Sequence, residues 1–526
     1  MKKVFVIIIF SLAALSMSAQ VWRLNVDASG HLSGSTGDYL PFWQRTYEGG
    51  IMPYSSSGVM TVGALVNYVD GNDFSFEAGT NLVGSLAMRN PVHDTEVSGI
   101  VDRLYVSGGW RMLHLDVGMK PRARELGNLS LTGGNVIYSG YTRNMPGVNA
   151  WSDWIYFEKG RWVGIRGNFA HYQMMDNRYV KDTYIHNKSF AIRFASGRVV
   201  DLELGLDHWA QWGGVSPNLG ERPSSFKDYI RIIFAQNGGS DASMSDQLNA
   251  LGNHLGREYV RLNWRTSDFK MTFQYDMPFE DGKTIVKVQN FPDGVYSLKF
   301  SFNKMNAFVT DVLYEFANTT WQSGDEHDRA ATEEEMSKDY GKYVYWQDQD
   351  HYFYGRIIEG GLDNYFNNRE YRSGWTYHGS TIGLPLLIPF APAKDGVTWG
   401  IICNRVRAHH LGLKGYAFRL PYMFKATYSS NWGRYSDEPG SFFSDRPKQL
   451  SLALEVELGK QVTDLPVTFA VGLYGDFGKV YQNCAGLSLR VLFDHWSIIR
   501  KGFLSYLHQQ NSVGLPSGLE CVPFHA

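Results

Sequence analysis

The chain has 526 residues, with 55 Gly, 31 Tyr, 31 Phe and 15 Trp beside only 18 Pro, a β-rich and aromatic-rich mixture that excludes a disordered chain. Its 50 Lys+Arg balance 52 Asp+Glu, which excludes a broad basic face and with it nucleic acid as a partner. Cys403, Cys484 and Cys521 are too few and too scattered for a disulfide framework or a metal site, so neither a metal nor any other cofactor is expected.

At the N-terminus, Lys2 and Lys3 precede an apolar run from Val4 to Leu15 and then small residues up to Ala19. This pattern predicts a secretory signal peptide over residues 1–19, since the apolar stretch is shorter than the roughly 20 residues of a spanning helix. Beyond it, strict alternation recurs along the chain. Val200, Leu202, Leu204 and Leu206 interleave with Asp201, Glu203 and Asp207, and Phe269, Met271, Phe273 and Tyr275 with Lys270, Thr272, Gln274 and Asp276. Leu450, Leu452, Leu454, Val456 and Leu458 do the same with Ser451, Ala453, Glu455 and Glu457, as do Val467, Phe469, Val471, Leu473 and Phe477 with Thr468, Ala470, Tyr474 and Asp476.

A period of two means strands with one apolar and one polar face. Counting such stretches predicts an all-β chain, an outer-membrane antiparallel β-barrel of about 18 strands with short helices and long loops, apolar outside and polar in the lumen. A large soluble sandwich would alternate in the same way with its apolar face turned inward. Aromatic residues at strand ends favour the barrel: Trp22, Trp110, Trp151, Trp154, Trp162, Trp209 and Trp212 are expected in interfacial girdles. On this reading Leu452, Leu454, Val456, Phe469, Val471 and Leu473 face lipid. The barrel spans residues 20–493, because the strand of Ala485, Leu487, Leu489 and Val491 closes on Phe493, and residues 494–526 form a tail outside it. Asp241–Leu255 and Glu326–Tyr340 break the pattern and read as short polar helices or loops, the carboxylates of the second being a solvated face rather than a cation site.

Several irregular stretches between strands are distinctive: LPFWQ (Leu40–Gln44), GNHLG (Gly252–Gly256), PDGVYSLKF (Pro292–Phe300), YEFANTTWQSG (Tyr314–Gly324), DNYFNNREYRSGWTYHGSTIGLPLLIP (Asp363–Pro389) and NRVRAHHLGLKG (Asn404–Gly415). In these the chain resembles the capsule assembly family named after Wzi. The resemblance implies a barrel partly closed by helices and loops that holds exported capsular polysaccharide at the cell surface without catalysis. Two features depart from the family: the chain continues past its last alternating strand, and Asn187 dilutes the match over Tyr184–Phe194.

A sugar site needs amide and imidazole donors beside aromatic faces in a concave wall. Asn364, Tyr365, Asn367, Asn368, Trp375, Tyr377 and His378 offer that mixture, as do Asn404, Arg405, His409 and His410, with Asn253 and His254 as a third patch. The patches are expected to converge at or inside the barrel mouth. Each equally suits a polar network that braces the lumen. His409 and His410 are strand neighbours on opposite faces and cannot readily chelate together. Glu280 and Asp281 are adjacent, unlike glycosidase carboxylates on either side of a bond, and Ser380 near His378 is too generic for a hydrolase, so no enzyme is expected. The expected partners are surface polysaccharide, outer-membrane lipid and the barrel-assembly machinery, with the protein a monomer. The competing reading is a diffusion channel, which requires an open lumen.

Overall fold

The computed structural model describes residues 21–46, 49–70, 73–89, 94–157, 160–280, 290–322, 344–348, 351–354, 363–437, 440–459 and 467–501. The expected signal peptide, Glu326–Tyr340, Asp281 and residues 502–526 lie outside them. Alternation builds a closed antiparallel barrel of 18 strands. In chain order these are β1 (Val21–Ser35), β2 (Ser57–Asp70), β3 (Phe74–Ala87), β4 (Glu96–Trp110), β5 (Leu113–Met119) and β6 (Gly147–Ser152, continued by Ile155–Tyr156). There follow β7 (Val163–Gln173), β8 (Tyr184–Ser196), β9 (Val200–Trp212), β10 (Asn253–Arg265), β11 (Phe269–Glu280) and β12 (Gly294–Phe302). The last six are β13 (Asp311–Asn318), β14 (Val406–Ala417), β15 (Leu420–Asn431), β16 (Lys448–Leu458), β17 (Val467–Gly478) and β18 (Cys484–Lys501). Each strand pairs with the next, and β18 returns to β1, so no edge of the sheet is left unpaired.

Pairing register aligns the apolar residues into an outer belt. Leu454 stands between Phe424 and Leu473, and Leu473 opposite Leu487. Leu473 and Leu487 are 54% and 56% exposed, whereas Ser451, Ala453, Tyr474 and Asp476 on the alternate positions are buried. A sandwich would bury those leucines against a second sheet. Here the buried side of the wall carries Asp201, Glu203, Asp207, Arg257 and Arg261 instead, the polarity of a membrane barrel. Connections such as those between β4 and β5, β8 and β9, and β14 and β15 are tight turns at one rim, and the long connections gather at the other.

Two expectations need correction. The last strand does not stop at Phe493: Val26 pairs with Trp496 but Ala28 with Phe493, so a β-bulge at Asp494–His495 interrupts the period of two while backbone pairing with β1 continues to Lys501. Truncation after Phe493 is therefore expected to strip the β18 partners of Val21–Val26 and lower the fraction of heat-modifiable, folded barrel on gels, whereas truncation after Lys501 leaves every described pair in place. Equal folding of the two truncations would contradict the pairing. Nor do all the tryptophans join a girdle. Trp110 and Trp162 are exposed at the short-turn rim, and Trp22 packs against Tyr68 there at 4.7 Å. Trp151, however, turns inward to donate to Asp116 at 2.7 Å, Trp154 lies under the guanidinium groups of Arg166 and Arg193, and Trp209 and Trp212 are buried. An aromatic residue at a strand end can serve either face, and sequence position does not say which.

The lumen is filled from the long-loop side. Helix α1 (Phe42–Thr46) folds inward, where Phe42 N donates to Asp476 at 2.8 Å and Trp43 Nε1 to Thr427 at 3.0 Å. The connection from β5 to β6 crosses to the far wall. Glu315 on β13 accepts from Ser130 Oγ and Leu131 N, both at 2.6 Å, and Asp276 on β11 accepts from Val136 N at 2.8 Å and from Arg257 at 3.0 Å. Gly133 and Gly134 take positive φ at the tip of this crossing, and the Gly134 carbonyl accepts from Arg257 at 2.7 Å and Gln274 at 3.0 Å. Leu131, Val136, Ile137 and Tyr138 then pack with Tyr365, Phe366, Trp375, Ile382 and Leu384 from the insertion between β13 and β14 into one apolar plug.

Candidate binding cleft at the long-loop mouth

Above the plug, connections at the long-loop rim, that between β3 and β4 included, meet around a cleft of about 720 Å³. The β1–β2 connection supplies Asp38, Tyr39, Phe42, Arg45 and Tyr54, the β5–β6 connection Tyr141 and Arg143, the long insertion His378, Ser380 and Phe390, and the β17–β18 turn Tyr481 and Gln482. The walls hold each other in place. Tyr54 donates to Gly379 O at 3.0 Å, Arg143 Nε to Gly50 O at 3.2 Å, and Asp38 N to Gln482 Oε1 at 2.8 Å. Tyr481 stacks on Phe42 with ring centroids 5.7 Å apart, and the Arg45 guanidinium lies over both Tyr54 (5.4 Å) and Tyr481 (5.3 Å). Burial, helped by the Asp476 carboxylate and opposed by Arg45, raises the Tyr481 phenol above its ordinary value, so it enters the cleft neutral.

This arrangement offers aromatic faces for stacking on sugar rings, guanidinium donors for carboxylate or hydroxyl oxygens, and Asp38, Asp94 and Glu96 as acceptors for ring hydroxyls. His378 and Ser380 do not form a hydrolytic pair with each other: His378 Nδ1 faces Arg143 at 3.5 Å, while Ser380 Oγ faces the Tyr54 hydroxyl at 3.4 Å. Among the described residues, no group of three or more His, Cys, Asp and Glu is placed to hold a metal ion.

Of the residues singled out from sequence, His378 lines the cleft, at the tip of the Thr376–Thr381 hairpin, where it takes a positive φ. Eight others converge beneath it as a brace. Asn404 donates to Asn364 Oδ1 at 2.6 Å and to Tyr365 O at 3.0 Å, and Asn367 exchanges hydrogen bonds with the Ile401 backbone at 2.7 and 3.0 Å. Asn368 donates to Asn253 at 3.2 Å, tying the insertion to β10. Trp375, Tyr365 and Asn404 are fully buried, and Tyr377 nearly so. Arg405 leaves this group, its guanidinium resting 3.4 Å from the Tyr435 ring centroid.

The expected convergence fails for three histidines. His410 points into the lumen but lies elsewhere, between Thr427 (2.8 Å) and the Leu129 carbonyl (2.7 Å) of the plug. Its neighbour His409 is on the outer face, 2.8 Å from the Tyr314 hydroxyl, as alternation requires. His254 is also on the outer face, hydrogen-bonded to His208 at 3.0 Å. Arg45, Tyr54, Arg143 and Tyr481 escaped sequence analysis because connections far apart in the chain bring them together; only their proximity to LPFWQ, for Arg45, gave a local signal.

No family model matches the chain, and no curated protein matches it. Among solved structures, OccK7 (OpdD) of Pseudomonas aeruginosa is 9% identical over 92% of this chain and 100% of that one, with a TM-score of 0.42. OccAB4 of Acinetobacter baumannii is 10% identical over 91% and 98%, with a TM-score of 0.43. Wzi of Escherichia coli, an outer membrane protein involved in group 1 capsule assembly and a carbohydrate-binding β-barrel, is 15% identical over 93% of this chain and 87% of that one, with a TM-score of 0.51. The chain thus has the closed 18-strand fold of an outer-membrane β-barrel, and it shares that fold with Wzi.

Proposed function

We propose that the protein is a non-catalytic outer-membrane barrel that binds or organises exported, capsular polysaccharide at the cell surface. The observation that carries this reading is an aromatic and arginine-lined cleft open at the mouth above a lumen filled by the β5–β6 connection and the β13–β14 insertion. Long loops belong on the extracellular side of bacterial barrels and short turns on the periplasmic side, so the cleft faces outward. The N-terminal signal pattern supports export, and the protein would enter outer-membrane lipid as a monomer by way of the barrel-assembly machinery. The carbohydrate binding of Wzi, a barrel of the same fold, agrees with this reading.

Arg143 and Tyr54 are partly exposed in the cleft and contribute little to the plug. Arg143→Ala and Tyr54→Ala are each expected to weaken retention of surface polysaccharide by cells about tenfold, the equivalent of one charge-assisted hydrogen bond, with gel migration unchanged. Trp375→Ala or Asn404→Ala should instead lower the folded fraction, because both side chains are fully buried. Normal retention by folded Arg143→Ala and Tyr54→Ala proteins would place the binding site elsewhere.

A further inference from the structure

The outer wall is not apolar all the way round. On β1 to β4 exposed apolar side chains run almost to the long-loop ends of the strands, as at Leu32, Met60, Leu86 and Val97. On β7 to β10 the outward positions near the same ends are His171, His186, His208 and His254. Their outward direction follows from alternation, since Asp207 and Trp209 on either side of His208 face the plug, through Asn135 (3.1 Å) and Tyr138 (4.9 Å). Bare imidazoles at that depth would be costly in lipid. They are not bare: His186, His208 and His254 are buried.

The β9–β10 connection, which folds back down the outside of the barrel, covers His171, His186 and His254, and His208 lies between His254 and Phe279. Its helix α2 (Phe226–Ile233) starts at a capping box formed by Ser225 and Asp228. Tyr229 on the wall-facing side reaches His186 Nδ1 at 3.2 Å and stands edge-on to the His171 ring at 5.6 Å, and Ile232 packs with Ala210, Trp212 and Leu251. The outward-pointing Lys188 donates to the carbonyl of Ile233 and so closes the helix C-terminus. The opposite side of α2 is apolar too. Phe226, Ile230 and Phe234, at i, i+4 and i+8, are 79%, 36% and 67% exposed, and Met244 on α3 (Met244–Leu248) is 70% exposed.

We propose that this folded-back collar is a lipid-contacting surface, with Phe226, Ile230 and Phe234 seated among the acyl chains of the leaflet at the long-loop rim. Continuity with the lipid belt identifies the occupant. His186, which Tyr229 covers, meets the belt residue Phe169 edge-on at 4.8 Å, and Phe190, on the outer face of the same strand as His186, is half exposed. The helix therefore begins where the belt ends, and its stripe restores the apolar surface that the four histidines interrupt. Exposed Lys227 flanks the stripe as a partner for lipid phosphate. Interfacial helices of amphipathic character lie in this manner with their apolar face at the boundary between headgroups and acyl chains.

The test uses the full chain in phosphatidylcholine and phosphatidylglycerol vesicles, with its three native cysteines replaced by alanine. Single nitroxide labels are placed at Phe226→Cys, Phe234→Cys and, on α3, Met244→Cys, and collision rates with oxygen and with a water-soluble nickel chelate are compared. Leu473→Cys gives the lipid reference and Asp395→Cys the aqueous one. Labels at 226 and 234 are expected to favour oxygen several-fold, as at 473. Readings like those at 395 would overturn the proposal, as would spin–spin broadening at high lipid dilution, which would make a second copy of the chain the occupant. If either phenylalanine variant fails to fold, the label at 244 decides on the same criterion.

Discussion

Asp276→Ala is expected to lose about 3 kcal/mol of folding stability, the low end of the cost of breaking a buried ion pair. Asp276 is 1% exposed and holds both the Val136 amide of the plug and the Arg257 guanidinium. Removing it leaves Arg257 in the lumen with the more distant Asp207, at 3.7 Å, as its nearest acidic partner. The plug keeps Gln274 but loses the Val136 anchor on β11 at the same time, so the variant should also show transient ion leakage in bilayers. Guanidinium unfolding in vesicles measures the first effect. A loss below about 1 kcal/mol would mean that solvent in the lumen screens the pair as it does at a surface.

Leu454→Arg should cost roughly 2–4 kcal/mol for a cation on the lipid face near the bilayer midplane. The position is central in β16, flanked by Phe424 and Leu473 on the same outer face. The same unfolding assay tests it. A neutral effect would place that face in water or against another protein, and the belt would lose its meaning.

Both predictions rest on the part of the fold that was legible in the sequence. A period of two depends only on neighbouring residues, so the strands, their polar and apolar faces and the approximate strand number could be read from composition order alone. Where the period was interrupted, the reading stopped. The bulge at Asp494–His495 hid the continuation of β18, and the polar outward residues His186, Lys188 and His208 break the apolar faces of β8 and β9 near the long-loop rim. Those residues were themselves a signal, since a lipid face that turns polar must be covered, and α2 covers it. Asn187, by contrast, faces inward and hydrogen-bonds Arg122 (2.8 Å) and Asp207 (2.7 Å), where polarity is the rule.

The site was less legible because it is made of connections. Residue type pointed to an insertion rich in Asn and aromatic side chains, but could not distinguish a wall that is open to ligand from a brace packed against the plug. Asn364, Asn367 and Asn404 hydrogen-bond one another and the backbone around them, and Asn368 reaches Asn253, which is how buried amides are stabilised. The open aromatic groups, Tyr54 and Tyr481, sit on two other connections far from the insertion in sequence, and only the closed barrel brings them beside it.

Whether the barrel holds a polymer at its mouth or passes solute through its lumen is decided by single-protein conductance in a planar bilayer at neutral pH. A plug anchored on β10, β11, β13 and β14 predicts no steady open level for the full-length protein, and the appearance of one when residues 121–145 are replaced by a short glycine–serine linker. A stable open pore in the unmodified protein would contradict the occluded, polymer-holding barrel and establish a channel in its place.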